Sequence, residues 1–187
     1  MKKARMLVLL GALALAPLGR AVEYTSVQTD KSAIGFVVHE MGVPVDGKFG
    51  KFAVQVAFDP AKPASGKAAI DLDVGSIDAG SAEANGEVVG KLWFDAQTYP
   101  KARFESTAIK SVGANRYEVS GKITIKGRTR DVAAPFTLTP QGKDAAFDGA
   151  FVLQRADFAI GEGEWADFGT VANEIQVKFH FLASAKK

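Results

Sequence analysis

The 187-residue sequence contains no cysteine and only two histidines. Without cysteine no disulfide can hold the fold, no thiol can serve as a nucleophile, and cysteine-rich zinc sites are excluded. His39 and His180 each sit in a strand pattern, on the face opposite the large apolar residues, without the partners that a triad or metal site needs. Gly-x-Ser-x-Gly, a phosphate loop and His-Glu-x-x-His are all missing. Glu162, Glu164 and Asp167 form an acidic loop, but their spacing matches no calcium loop. The sequence therefore predicts no enzyme, no cofactor and no metal, with catalysis left only to residues that converge in space.

Long apolar runs are also scarce. The one candidate, Met6 to Ala16, follows Lys2, Lys3 and Arg5 and is broken by Pro17 and Arg20. A membrane-spanning helix needs roughly 20 apolar residues, whereas basic, apolar and small-residue segments in that order are those of a secretory signal. The expectation is a removable signal peptide over residues 1–21, one domain over 22–187, no stable membrane span in the mature form, and a periplasmic location. No cysteine follows the signal to carry a lipid. The signal holds four of the 23 basic residues and none of the 21 acidic ones, so its removal leaves 19 against 21 and turns a net charge of +2 into −2. That balance argues against nucleic-acid binding.

Helical spacing is rare after Tyr24; apolar residues recur at every second position, the period of strands with one buried face. Ile34, Phe36 and Val38 form one such set, Phe52, Val54, Val56 and Phe58 another, and Ile70, Leu72 and Val74 a third. The second half continues with Tyr117, Val119, Ile123 and Ile125, then Val132, Ala134, Phe136 and Leu138, then Phe147, Phe151 and Leu153, then Val171, Ile175, Val177, Phe179 and Phe181. Gly121 falls in the apolar register, which marks either a bend or a place where something approaches the backbone closely. Turn signals at Asp59–Gly66, Gly113–Asn115, Gly127–Thr129 and Pro140–Asp144 favour antiparallel neighbours. One helix is expected from Ser81 to about Leu92, weakened by Gly86 and Gly90. Seven or eight strands with one helix predict an all-β antiparallel sandwich or a closed barrel, and periodicity alone does not choose between them.

Specific strings add to this. FVVHEMGVPVDGKFGKF at residues 36–52, AFDP at 57–60, GKLWFDAQTYPKARFES at 90–106, SGKITIKGRTRDVAAPF at 120–136 and RADFAIG at 155–161 occur in this order across nearly the whole chain. Together they resemble the YceI-like family of polyisoprenoid-binding proteins. Glu40 departs from that pattern, standing where many members carry a histidine just before the Met-Gly pair. The resemblance implies an eight-stranded antiparallel lipocalin-like barrel with one short helix near one end, holding a long isoprenoid or fatty chain in an apolar tunnel.

Burying each methylene is worth about 0.8 kcal/mol, so such a tunnel needs an apolar lining above all. The inward register offers Phe36, Val38, Phe52, Val54, Ile70 and Leu72 from the first half, and Ile123, Ile125, Phe136, Phe151, Ile175, Val177 and Phe179 from the second. The same residues would also build an ordinary core. Trp93, Phe94 and Tyr99 either border the tunnel mouth or pack as a plug under the helix, and the plug is the expectation. Lys126, Arg128 and Arg130 around one hairpin turn are candidates for a phosphate headgroup, or are solvated surface. Arg155 and Asp157 are expected to pair and pin the chain after a strand. Oligomeric state is open between monomer and homodimer. The rival reading is an envelope interaction module with a solid barrel that partners a membrane redox protein.

Overall fold

Alternating apolar residues joined by short glycine-bearing turns fold back as hairpins. The computed structural model describes residues 22–186, so the expected signal segment lies outside the described residues. The strands are β1 (Tyr24–Val27), β2 (Ala33–Glu40), β3 (Val43–Phe49), β4 (Phe52–Ala57), β5 (Lys67–Asp73), β6 (Ile77–Asp78), β7 (Lys101–Gly113), β8 (Arg116–Ile125), β9 (Arg128–Gln141), β10 (Asp144–Gln154) and β11 (Glu174–Ala185). All eleven join one antiparallel sheet in the order β4-β5-β7-β8-β9-β10-β11-β2-β3-β6, with β1 on β11.

Eleven segments are more than the eight expected strands, and three interruptions account for the difference. A 3-10 turn at Thr29–Lys31 separates β1 from β2, another at Val74–Ser76 separates β5 from β6, and only Gly50 and Lys51 separate β3 from β4. Each pair is one strand broken in the middle, which leaves eight strand positions. The sheet curls strongly, because β3 and β4 are nearly continuous in the chain yet β4 begins the pairing order and β3 stands next to its last member, β6. β1 ties the seam further: Tyr24 N donates to Phe58 O at 2.9 Å and Phe58 N to Tyr24 O at 3.1 Å. Among the described residues no helix is long and apolar enough to cross a membrane.

Turn chemistry sets the hairpins. Met41-Gly42 and Lys126-Gly127 each have two consecutive positive φ angles, the type I′ geometry that matches strand twist. The helix α1 (Ala82–Val88) is shorter than expected. Ser81 caps it, its Oγ accepting from Ala84 N at 3.1 Å, but Gly90 N bonds back to Glu87 O and the chain continues as turns through Thr98. Glycine is a poor helix former at roughly 1 kcal/mol relative to alanine, which favours the early stop.

The buried residues form two clusters. At one end, fully buried Phe58 meets Tyr117, Phe136 and Phe147 at ring distances of 5.0, 5.8 and 5.7 Å, each edge to face. Toward α1 lies the second, with Val38, Val74, Trp93, Ile125, Phe158, Ile160 and Val171. Between them the interior is not filled.

Candidate apolar binding site

Two adjoining chambers occupy the inside of the curled sheet. The inner one, about 140 Å³, ends on Phe58, Phe136 and Phe147; the outer one, about 410 Å³, extends to α1. Ile34, Leu72, Ala102, Ile123, Phe151 and Val177 line both, so the chambers share a junction and form one passage. Volumes of roughly 300–1,000 Å³ are usual for small-molecule sites. The inner chamber has apolar walls; Arg103, which contributes to them, sends its guanidinium outward to Asp71 and Glu105.

Glycines keep the passage open. A Cβ at Gly47 would overlap the ring of Phe36, one at Gly121 the ring of Phe104, and one at Gly149 the ring of Phe179. In two of these cases the glycine is the cross-strand partner of the aromatic residue, Phe36 with Gly47 and Phe179 with Gly149. The rings lie over the glycine backbone instead of filling the interior, which explains the glycine at 121 in an apolar register.

Of the fifteen residues expected along the tunnel, Val54, Ile70, Phe136 and Phe179 line the inner chamber, and Phe36, Val38, Trp93, Phe94, Ile125 and Ile175 the outer. Leu72, Ile123, Phe151 and Val177 line both. Phe52 does neither: it packs its ring 6.2 Å from that of Phe181. Trp93 and Phe94 line the outer chamber and pack with Val88 of α1, at the end away from Phe58. Tyr99 stands apart from them, over Gly127.

The three cationic candidates do not meet at the tunnel. Lys126 turns inward beneath the segment after α1, its Nζ donating to Lys91 O at 3.0 Å and Ala159 O at 2.7 Å and pairing with Glu162 at 3.0 Å. Arg128 and Arg130 stay exposed on β9, Arg130 bonding the carbonyl of Thr129. Neither belongs to a chamber wall.

The cation that does reach the outer chamber is Arg155, 1% exposed. It does not pair with Asp157. Nε donates to Ala172 O, Nη1 to Ile160 O and Gly161 O, and Nη2 to Trp165 O and Val171 O, all at 2.7–3.2 Å. Burial pushes its pKa down, and Asp167 partly offsets that. Asp167 is itself held below the usual carboxylate range, chiefly by the backbone N–H of Gly169 and then by the Thr170 hydroxyl. Every guanidinium N–H is therefore taken. Beside it Trp93, 9% exposed, leaves its indole N–H without an acceptor, and its ring lies 5.4 Å from that of Trp165.

The polar side chains at the outer end are Glu40, Ser81, Glu83 and Glu87. Glu87 accepts from Trp165 Nε1 at 3.0 Å, which ties α1 to the loop after β10. Neither histidine lines the passage: His39 is exposed, and His180 Nδ1 meets Asp148 Oδ1 at 2.6 Å. Among the described residues no three metal-ligating side chains stand together. Alternation concealed some of the lining. Phe104 lies on β7, where a bulge between Ser106 and Ala108 shifts the register before Ile109 and breaks the period-2 signal.

Known proteins share this fold. The chain is 46% identical to Burkholderia cenocepacia BcnA, whose crystal structure superposes with a TM-score of 0.83 over 85% of this chain and 100% of that one. A UPF0312 protein of Pseudomonas savastanoi pv. phaseolicola is 31% identical over 169 residues, covering 86% of this chain and 88% of the relative. A polyisoprenoid binding domain from Saccharophagus degradans, implicated in plant cell wall breakdown, is 13% identical but has the same fold, with a TM-score of 0.64 over 89% of this chain and all of that one. A curled antiparallel sheet around an apolar passage, with these relatives, places the chain in the YceI-like domain family, whose model matches residues 25–183.

Proposed function

We propose that this chain is an exported carrier that holds one long apolar chain, of isoprenoid (polyprenyl or isoprenoid-quinone) or fatty type, for storage, transport or stress buffering in the periplasm. The observation that carries the reading is the apolar passage, lined by Phe58 and its aromatic neighbours at one end and polar only at the other. Ten buried methylenes would supply about 8 kcal/mol, the scale of micromolar affinity before the costs of association. The relative from S. degradans, named for polyisoprenoid binding, supports an isoprenoid as the first candidate. An interior cavity of about 410 Å³ argues against a solid barrel that serves only as an interaction module. The basic and apolar opening of the sequence supports export.

Native mass spectrometry of protein purified from the envelope of its own host tests the proposal. The expected result is an apolar species that leaves on denaturation. Protein that is empty and that takes up neither a polyprenol nor a fatty alcohol would overturn it.

A further inference from the structure

Among the described residues eight large apolar side chains are exposed, and four of them gather around the outer end of the passage. Met41, 78% exposed, and Val43, 62% exposed, stand at the turn between β2 and β3, Phe168 on the loop before β11, and Leu92 after α1. The main chain ties their segments together. Met41 N donates to Thr170 O at 2.9 Å and Ala172 N to His39 O at 2.8 Å, while Gly161 N and Glu162 N both donate to Leu92 O. The loop that carries Phe168 is fixed from within: the Arg155 guanidinium lies 5.1 Å from its ring, and the Asp167 carboxylate accepts from Gly169 N and Thr170 Oγ1. Glu40 and Val171, next in the chain to Met41 and Thr170, line the outer chamber, so this apolar rim adjoins the passage. Exposed apolar side chains collected in one place mark a surface that meets a partner or a membrane.

We propose that this rim docks on the surface of a zwitterionic phospholipid bilayer, where the protein collects or delivers its lipid. Charge selects that occupant. Residues 39–46 and 162–174, which carry Met41, Val43 and Phe168, include six carboxylates (Glu40, Asp46, Glu162, Glu164, Asp167 and Glu174) and neither lysine nor arginine. Anionic membranes draw proteins through clustered basic side chains. These two segments offer none, so contact falls to the apolar side chains. A second copy of the chain meeting rim to rim would set the same carboxylates against each other. Side chains that project separately from a turn and two loops need no shaped counterpart in a bilayer, whose interface admits apolar groups wherever they enter. The proposal rests on the lipid-holding reading: an apolar ligand that passes from the membrane directly into the passage does not cross water.

Flotation of the full chain with phosphatidylcholine vesicles, and in parallel with phosphatidylglycerol vesicles, tests the proposal. The protein is expected to float with the first and about tenfold more weakly with the second at low salt. Met41→Ser, Val43→Ser and Phe168→Ser combined should lower partition into phosphatidylcholine about tenfold or more, and Met41→Ser alone about threefold. Uptake of the soluble fluorophore N-phenylnaphthylamine should be unchanged in both variants, because none of the three residues lines a chamber. Val112→Ser, as exposed as Phe168 but near the end of β7, should change neither measurement. Equal partition of the unmodified protein and the Met41→Ser and triple variants, an equal loss with Val112→Ser, stronger partition into phosphatidylglycerol, or no partition into either vesicle would overturn the proposal and leave the lipid-holding reading standing. Dimers in sedimentation velocity that the triple variant abolishes, without vesicle partition, would assign the rim to a second copy instead. Protein that floats yet takes up neither N-phenylnaphthylamine nor a polyprenol would overturn the lipid-holding reading, and the loading role of the rim with it.

Discussion

Arg155 shows how one side chain can organise a segment that strands do not reach. Between β10 and β11 the chain runs through two 3-10 turns, Arg155–Phe158 and Gly163–Ala166, with no sheet partner for their carbonyls. The guanidinium bonds five carbonyls of this segment, those of Ile160, Gly161, Trp165, Val171 and Ala172, and lies 5.1 Å from the ring of Phe168. Replacing it with methionine would leave buried carbonyls unpaired at about 1–3 kcal/mol for each that water cannot reach. Arg155→Met should therefore lose more than about 3 kcal/mol, a fall of roughly 6–12 °C in melting temperature for a domain of this size. Asp157→Ala should stay within about 0.5 kcal/mol, because Asp157 is exposed and accepts none of these bonds. A circular-dichroism melt of both variants decides the matter; equal stabilities would refute the role given to Arg155. The RADF string announced that something fixes the chain here, but its partners come from residues 160–172 and sequence proximity pointed to the wrong one.

At the scale of elements, the bore of the passage depends on pairs of neighbouring strands. β2 and β3 place Phe36 opposite Gly47, and the missing side chain gives the ring somewhere to lie other than the interior. Gly47→Ala should push that ring into the outer chamber at a cost of about 1–3 kcal/mol. The longest fatty alcohol retained should shorten, which a chain-length series in competition binding would read. An unchanged cut-off would mean that Phe36 does not limit the bore. The strands themselves were largely legible, because period-2 alternation is a local property of each segment. β8, with Tyr117, Val119, Ile123 and Ile125 on one face, is the plainest case. β7 was not legible, since its bulge flips the register between Ser106 and Ala108, and β3 was obscured because Gly47 interrupts the alternation of Val43, Val45 and Phe49. The early end of α1 follows from Gly90, whose weight against Leu92 depends on how the turns behind it pack.

For the whole molecule, the sheet closes through contacts between distant segments, and its pH dependence follows from where these are ionisable. Asp144 on β10 is held below its ordinary value of 3.8, first by the hydroxyl of Ser184 on β11. Asp167 is lowered as well, by the N–H of Gly169. A depressed carboxylate favours the native state above 3.8 and loses that contribution as pH falls through the folded value. Tyr24 and Tyr117 are raised above 10.0 by burial, so their contribution is complete below 10.0 and is lost as pH rises through their folded values. The urea midpoint should therefore be nearly level from roughly pH 5 to 9 and fall on both sides. Asp144→Asn should soften the acid limb. A steep slope within the level range would show that other groups control stability.

The amino-acid sequence alone determined the alternating faces, a hairpin turn around Gly127 and others like it, the family strings, and the chemistry that two histidines and no cysteine exclude. Only the tertiary structure decided that the inward faces stop short of filling the interior, that Lys126 and Arg155 bind main-chain carbonyls instead of a ligand, and that carboxylates from β2 and α1 meet at one mouth. The physical reason is one of range. Alternation is written residue by residue, whereas a void depends on the radius set by the number and tilt of all the strands and on side chains that face each other across it.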